Sequence, residues 1–207
     1  MEELFTILKT IPLTFTALFP VVNPIGCSVL FLGLTEAADH KLRKEVAKKV
    51  AIYTFVVLII VLFAGIYILQ IFGISIPVIE VCGGLVIALM GWDLLGKGDD
   101  EAQAKKNIED AEAHSHEENV DYLSEAFYPF TFPFTVGPGV IAVMLAVSAH
   151  IPKTDLPLGF LEYIGAVLGI LIISLLVYFG YSYAEKVVFL LTPEIRKVIM
   201  RILSFIM

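Results

Sequence analysis

Apolar residues fall in six blocks along the chain, separated by polar connections. Five blocks are long enough for a helix to cross a hydrocarbon core of about 30 Å at about 1.5 Å per residue: 10–34, 50–72, 76–95, 126–149 and 158–183. The sixth opens on a good helix start, Thr192-Pro193-Glu194, but reaches only to Met207, which favours a truncated chain over a native half-span. The pattern predicts an all-α polytopic membrane helix bundle, a single membrane domain over residues 1–207.

Composition supports the membrane class. Apolar residues make up 58% of the chain, charged residues 17%, and the mean hydropathy is +0.86. A soluble domain would have about 45–50% apolar and about 25% charged residues. The expected partner is therefore a lipid bilayer, and no basic patch indicates a nucleic-acid partner. Both cysteines, Cys27 and Cys82, lie inside apolar blocks and are expected to be free thiols.

Lysine and arginine concentrate in alternate connections: 35–49, 96–125 and 184–197. The positive-inside rule puts these connections in the cytoplasm and the N-terminus outside, in a multi-pass protein of the cell (inner) membrane. The connection 96–125 carries ten acidic residues against three lysines, which is typical of a solvated loop. A metal or regulatory site is the alternative, built from the side chains of His114, His116, Glu117 and Glu118. Their spacing matches no closed metal site, so no metal or other cofactor is expected.

Two segments share one pattern of prolines and glycines. Residues 19–26 read F-P-V-V-N-P-I-G, and residues 132–139 read F-P-F-T-V-G-P-G. The blocks that follow each copy also correspond, which divides the chain into a repeat over about 1–95 and another over about 126–207. Because a three-helix unit reverses its orientation when it is repeated, we expect two inverted three-helix repeats with discontinuous first and fourth segments.

Each break has the composition of a new helix start. Proline removes a backbone donor, and an asparagine or glycine just before it suits the first position outside a helix. Such starts would aim half-helix N-termini, with unpaired N–H groups, at the middle of the membrane, where they favour a carboxylate. The candidate binding residues are Asn23, Pro24, Gly26, Gly137, Pro138 and Gly139, with Thr131 and Thr135 as neutral polar contacts. Ordinary proline kinks are the structural alternative, and re-entrant hairpins, which would put the N-terminus in the cytoplasm, remain open.

Three acidic residues lie within or border the blocks: Glu80, Asp93 and Glu162, the last near the outer end of the fifth block. Glu80 and Asp93 are candidates for coupling a proton or cation, although each lies near a block end and could simply reach the interface. Gly165 and Gly169 form a G-x-x-x-G pattern, which predicts close helix packing. The blocks contain no nucleophile–base or metal constellation, so the chain is not expected to be an enzyme.

Three segments resemble the MarC family of bacterial and archaeal membrane proteins. They are V-V-N-P-I-G (21–26), Y-P-F-T-F-P-F-T-V-G-P-G-V-I (128–141) and C-G-G-L-V-I-A-L-M-G-W-D-L-L (82–95). The resemblance implies a multi-pass inner-membrane protein, usually of six helices, related to the lysine exporter superfamily. Some members are described as neutral amino acid transporters. The family continues past a motif like R-I-x-G, whereas here Arg201-Ile202-Leu203-Ser204 stands close to Met207.

The sequence therefore predicts a secondary transporter of a small solute, such as a neutral amino acid, that works by alternating access. A channel-like protein or a non-transporting scaffold is the alternative. Formation of a homo-oligomer is left open, as are the identity of the solute and the coupling ion.

Overall fold

A computed structural model describes residues 2–35, 37–96, 121–151, 156–190, 195, 198 and 202. Every element in these ranges is helical, as the apolar blocks predict. The helices are α1 (Glu2–Val22), α2 (Pro24–Leu34), α3 (His40–Ile71), α4 (Ile76–Gly96), α5 (Ala126–Thr135), α6 (Pro138–His150), α7 (Leu156–Ser182) and α8 (Ala184–Leu190). The acidic residues 97–120, with His114 and His116, and most of the sixth block lie outside the described residues.

Three stretches are long and apolar enough to cross a membrane: Phe5–Leu34, His40–Ile71 and Gly159–Ser182. Helices α5 and α6 are apolar enough only when taken together and are bent by 69° between them, so they form either a fourth, broken span or a re-entrant loop. The apolar part of α4, Ile76–Trp92, is shorter. The described chain is thus a polytopic helix bundle, and the fold class predicted from the sequence is confirmed.

Helix α7 lies at the centre of the bundle and packs against α1, α2, α3 and α8. Its G-x-x-x-G pattern faces α1: a Cβ added to Gly165 would lie 2.7 Å from Thr10 Cβ, and one added to Gly169 would lie 2.8 Å from Thr14 Cβ. Small residues let two helix backbones approach this closely. The predicted packing role of the two glycines is confirmed.

Helix α4 lies at the edge and packs mainly against α6. Large apolar side chains along it are exposed, among them Val81, Leu85, Leu89 and Trp92. In a lipid bilayer such a surface is solvated by acyl chains, so its exposure agrees with membrane embedding. Helix α6 is joined more firmly to α3, where the Ser148 hydroxyl donates a 2.6 Å hydrogen bond to the Leu62 carbonyl.

Candidate functional site

The first break lies at Asn23, between α1 and α2. Its backbone is left-handed (φ 45°, ψ 60°), a conformation that asparagine tolerates better than most residues. Its side-chain oxygen accepts a 3.1 Å hydrogen bond from the Gly26 amide, so the predicted cap is confirmed. A Cβ on Gly26 would lie 2.5 Å from the Asn23 side-chain nitrogen, which explains why glycine occupies that position.

Helical hydrogen bonds nevertheless continue across this break. The Asn23 amide donates to the Phe19 carbonyl over 3.0 Å, and the Cys27 amide donates to the Asn23 carbonyl over 2.9 Å. The first segment therefore remains one span, Phe5–Leu34. Its new helix start already uses the amides of Gly26 and Cys27, so the α2 N-terminus offers less to a solute here than the sequence suggests.

The second break is built differently, from two consecutive four-residue copies, Tyr128–Thr131 and Phe132–Thr135, each with proline in second position. The residue before each proline is extended, Tyr128 at φ −125°, ψ 124° and Phe132 at φ −116°, ψ 126°. A residue before proline is driven from the helical region by a clash with the proline ring. The polypeptide therefore forms wide turns instead of a regular α-helix, with Val136 N donating to Thr131 O over 2.8 Å.

The two threonines of these copies are fully engaged within the protein. The Thr131 hydroxyl donates to the Ala126 carbonyl and the Thr135 hydroxyl to the Phe130 carbonyl, each over 2.7 Å. Both side chains are buried. In this conformation they stabilise irregular backbone that lipid could not solvate. Their predicted contact with a solute stays a prediction.

The beginning of α5 lies outside the spans, at Glu125. Burial raises the pKa of the Glu125 carboxyl, and the negative charge of Asp121 raises it further. Glu125 is half-buried at this end of α5.

Helix α6 starts at Pro138 without a side-chain cap on Gly137. Its first intrahelical bond runs from the Ile141 amide to the Gly137 carbonyl over 3.1 Å. The amides of Gly139 and Val140 come before that bond, so they have no partner within the helix and carry the partial positive charge of a helix start. Of the two predicted helix starts, this one leaves two amides without a helical or side-chain partner, and both residues are buried in this conformation.

The two breaks come together in the structure. A Cβ added to Gly139 would lie 3.2 Å from Val21 at the end of α1, and 3.0 Å from the Met90 sulfur on α4. A Cβ added to Gly180 on α7 would lie 3.3 Å from the carbonyl oxygen of Pro24. Residues of both breaks therefore lie in one region, between α4 and α7.

Tyr181 is part of this region, although its position in the sequence does not predict this role. Its ring is fully buried and stacks on Phe31 at 4.4 Å between centroids, while Phe31 meets Phe130 edge-on at 5.5 Å. Its hydroxyl lies 2.8 Å from the Thr135 hydroxyl, and the Cys27 side chain lies beside it. Tyr181 thus links α7 to both breaks. The only sequence signal was a cluster of tyrosines, 178, 181 and 183, near the end of an apolar block.

A cavity of about 440 Å³ lies between α1, α4 and α6. Most of its wall is apolar. Gly84 lines it, and a Cβ added to this residue would have no neighbouring atom within 4 Å. Its two ionisable side chains are Glu80 and His150, with the carboxylate oxygen 4.0 Å from Nδ1. Ile87 lines the cavity and also lies beside Gly139, so the cavity leads from the Glu80–His150 pair towards the start of α6.

Of the two predicted coupling residues, the structure describes the side chain of Glu80 but not that of Asp93. Glu80 is exposed at the cavity, opposite His150, a partner that sequence reasoning did not identify. Asp93 lies on α4, but its side chain is outside the described residues. Among the described residues, no group of three acidic, histidine or cysteine side chains is placed to hold a metal ion.

Comparison with known proteins identifies the chain's relatives. Residues 8–207 match the model of a family described as MarC family integral membrane protein. The chain is also 30% identical over 158 residues to the "UPF0056 inner membrane protein MarC" of Escherichia coli K12, covering 75% of this chain and 67% of the relative. The proteins of the same name from Shigella flexneri and Shigella boydii serotype 4 match equally. No solved structure matches the chain.

Proposed function

We propose that this chain, which belongs to the MarC family of integral membrane proteins, is a secondary transporter of a small solute, such as a neutral amino acid. One observation carries the proposal: the uncapped start of α6 lies beside the end of α1, and its Gly139 lies beside Ile87, which lines a cavity. Gly139 and Val140 are buried in this conformation, so a solute carboxylate would reach their amides when the two halves of the chain move.

The start of α6 would hold the solute carboxylate. Its free amides are those of Gly139 and Val140, and Gly139 has no side chain to cover them. The start of α2 would contribute less in this conformation, because Asn23 occupies the Gly26 amide. Release of that amide when the two halves of the chain move would add the second helix start, so that both carry the carboxylate in the occluded state.

Glu80 and His150 are too distant to hold the same solute. They lie at the far end of α6 from Gly139, and the 13 residues of that helix span about 18–20 Å at about 1.5 Å per residue. An amino acid whose carboxylate binds at Gly139 cannot reach them. We therefore assign Glu80 a coupling role, as a carboxylate that takes up a proton or cation at the cavity, separate from solute coordination.

Counterflow of labelled neutral amino acids in proteoliposomes tests the proposal. The wild-type protein should exchange internal for external solute, and Gly139→Val should reduce exchange by at least about tenfold, because the added methyl groups cover the helix start and press on Val21 and Met90. Gly84→Ala is the matched control, since its Cβ enters open space.

The assay also separates the alternatives. Solute flux that follows a gradient but shows no exchange would identify a channel. No flux of any neutral amino acid in the wild type would favour a scaffold and contradict the proposal. Normal exchange by Gly139→Val would show that the protein is a carrier but that the start of α6 is not its binding site.

A further inference from the structure

Arg43, near the start of α3, is a buried cation at the end of the molecule predicted to face the cytoplasm. Only 4% of the Arg43 surface is exposed. Its Nε donates to the Thr35 hydroxyl over 3.1 Å, and one Nη donates to the carbonyls of Thr35 and Ala38 over 2.8 and 3.0 Å. These bonds give the Thr35 carbonyl, which also accepts from the Ala38 amide over 3.0 Å, a charged donor, and they satisfy the Ala38 carbonyl in the connection to α3.

The remaining Nη of Arg43 makes a different kind of contact. It bonds the carboxylate of Glu185, at the start of α8, in an ion pair. The other bonds of Arg43 lie within the first half of the chain, whereas this one crosses to the second half. The Glu185 side chain is 54% exposed, and a pair of this kind adds little to stability, so it can break and re-form at small cost.

A layer of aromatic side chains lies between this ion pair and the breaks. Along α2, Cys27 follows Asn23 by one turn, Phe31 by two and Thr35 by three. Phe31 stacks on Tyr181, which also lies beside Cys27. Any route from the breaks towards the predicted cytoplasmic face along α2 therefore meets the aromatic stack first and the Arg43–Glu185 pair second.

The opposite end of the bundle is arranged differently. Glu80 belongs to the first half and His150 to the second, so this pair also joins the halves. Its atoms are 4.0 Å apart, the side chains are 41% and 76% exposed, and both line the cavity. The Arg43–Glu185 pair thus holds the two halves in contact at one end of the membrane-spanning region. The Glu80–His150 pair, at the opposite end, is wider and more exposed.

We propose that the Arg43–Glu185 ion pair, with the Phe31–Tyr181 stack beside it, is the cytoplasmic gate of the carrier, and that this structure is the outward-facing state. The inference rests on the proposed function. During transport the Glu185 contact breaks, α8 and the end of α7 move away from α2, and Cys27 becomes accessible to water from the cytoplasm. The bonds from Arg43 to Thr35 and Ala38 remain.

The two cysteines make a test that does not need the solute. Both are free thiols, and Cys82→Ser leaves Cys27 as the single one. Labelling of Cys27 by a membrane-impermeant maleimide, in inside-out vesicles, reports how often the cytoplasmic side opens. Glu185→Gln should raise the labelling rate roughly two- to fivefold, the population shift expected from losing a partly exposed ion pair. Glu45→Gln, an equal charge change at an exposed position on α3, should leave the rate unchanged.

The outcomes separate a gate from a structural contact. An unchanged labelling rate in Glu185→Gln, with a lower melting temperature, would overturn the gate, because the pair would then only stabilise the fold. Should Glu185→Gln fail to reach the membrane, Glu185→Asp provides the same test with a smaller expected rise. Increased labelling without amino acid exchange would support the gate and count against the proposed function.

Discussion

Gly169→Leu is expected to lower the melting temperature of the purified protein more than any other single replacement on the α1–α7 contact except its neighbour at Gly165. The added side chain would start 2.8 Å from Thr14 Cβ and 3.2 Å from the Ile11 carbonyl oxygen. Neither neighbour is the end of a flexible side chain, so the two helices must separate. Overpacking of this kind costs about 1–3 kcal/mol, and more where backbone must move.

Gly84→Leu is the matched control for this prediction. It makes the same chemical change on α4, but the Gly84 position faces open space in the cavity. Its melting temperature in the same detergent should stay close to that of the wild type. Equal stability of Gly169→Leu and Gly84→Leu would show that α1 and α7 do not pack as closely as the structure has them.

Arg43→Met should cause the second large loss of stability. Methionine keeps much of the side-chain length but donates no hydrogen bonds, so the carbonyls of Thr35 and Ala38 lose charged donors in a buried setting. The buried Ala38 carbonyl is then left unsatisfied, at a cost of about 1–3 kcal/mol, while the Thr35 carbonyl keeps its bond from the Ala38 amide, so the expected loss is about 1–3 kcal/mol. Thermal unfolding followed by circular dichroism measures it.

Lys44→Met removes a neighbouring charge from an exposed position and is the control. Its stability should change by less than about 0.5 kcal/mol. A small effect of Arg43→Met, comparable to that of Lys44→Met, would contradict the anchoring role of Arg43. Because loss of Arg43 would itself disrupt the end of α2, the gate is tested at Glu185.

The fold class was predictable because membrane helices are specified by long apolar blocks, which leave a strong pattern in one sequence. The capping role of Asn23 was predictable for a similar reason: the bond to Gly26 joins residues three positions apart. Gly165 and Gly169 also lie within one turn of each other, so their shared face could be derived from spacing alone.

The difference between the two breaks was not predictable from their shared pattern. Asn23 adopts a left-handed conformation that keeps the helical bonds on both sides of it, so the first segment continues as one span. The second contains Pro129 and Pro133 close to Pro138, and the loss of so many donors in succession permits the 69° bend. The first segment also contains three prolines, Pro12, Pro20 and Pro24, so their spacing matters more than their number or the presence of the motif.

The partners of Arg43 and Tyr181 could not be predicted, because they lie far away in the sequence. In the sequence, Arg43 is one of several cations in a connection, and Tyr181 is one of several tyrosines at the end of a block. Their roles depend on Glu185 and Thr135, which only the packing of α7 and α8 brings near. The inverted relation between the two halves remains a prediction, and it underlies the proposed movement.

The start of α6 as a carboxylate site is the central claim, and ligand-dependent stability tests it most directly. The melting temperature of the purified protein is measured with each neutral amino acid and with the corresponding amino acid amide, which lacks the carboxylate. A ligand that prefers the folded state stabilises it, by about 2.7 kcal/mol at a hundred times its dissociation constant. We predict that at least one amino acid raises the melting temperature, that its amide does not, and that Gly139→Val abolishes the rise. An equal rise with the amide, or no rise with any neutral amino acid, would contradict the claim.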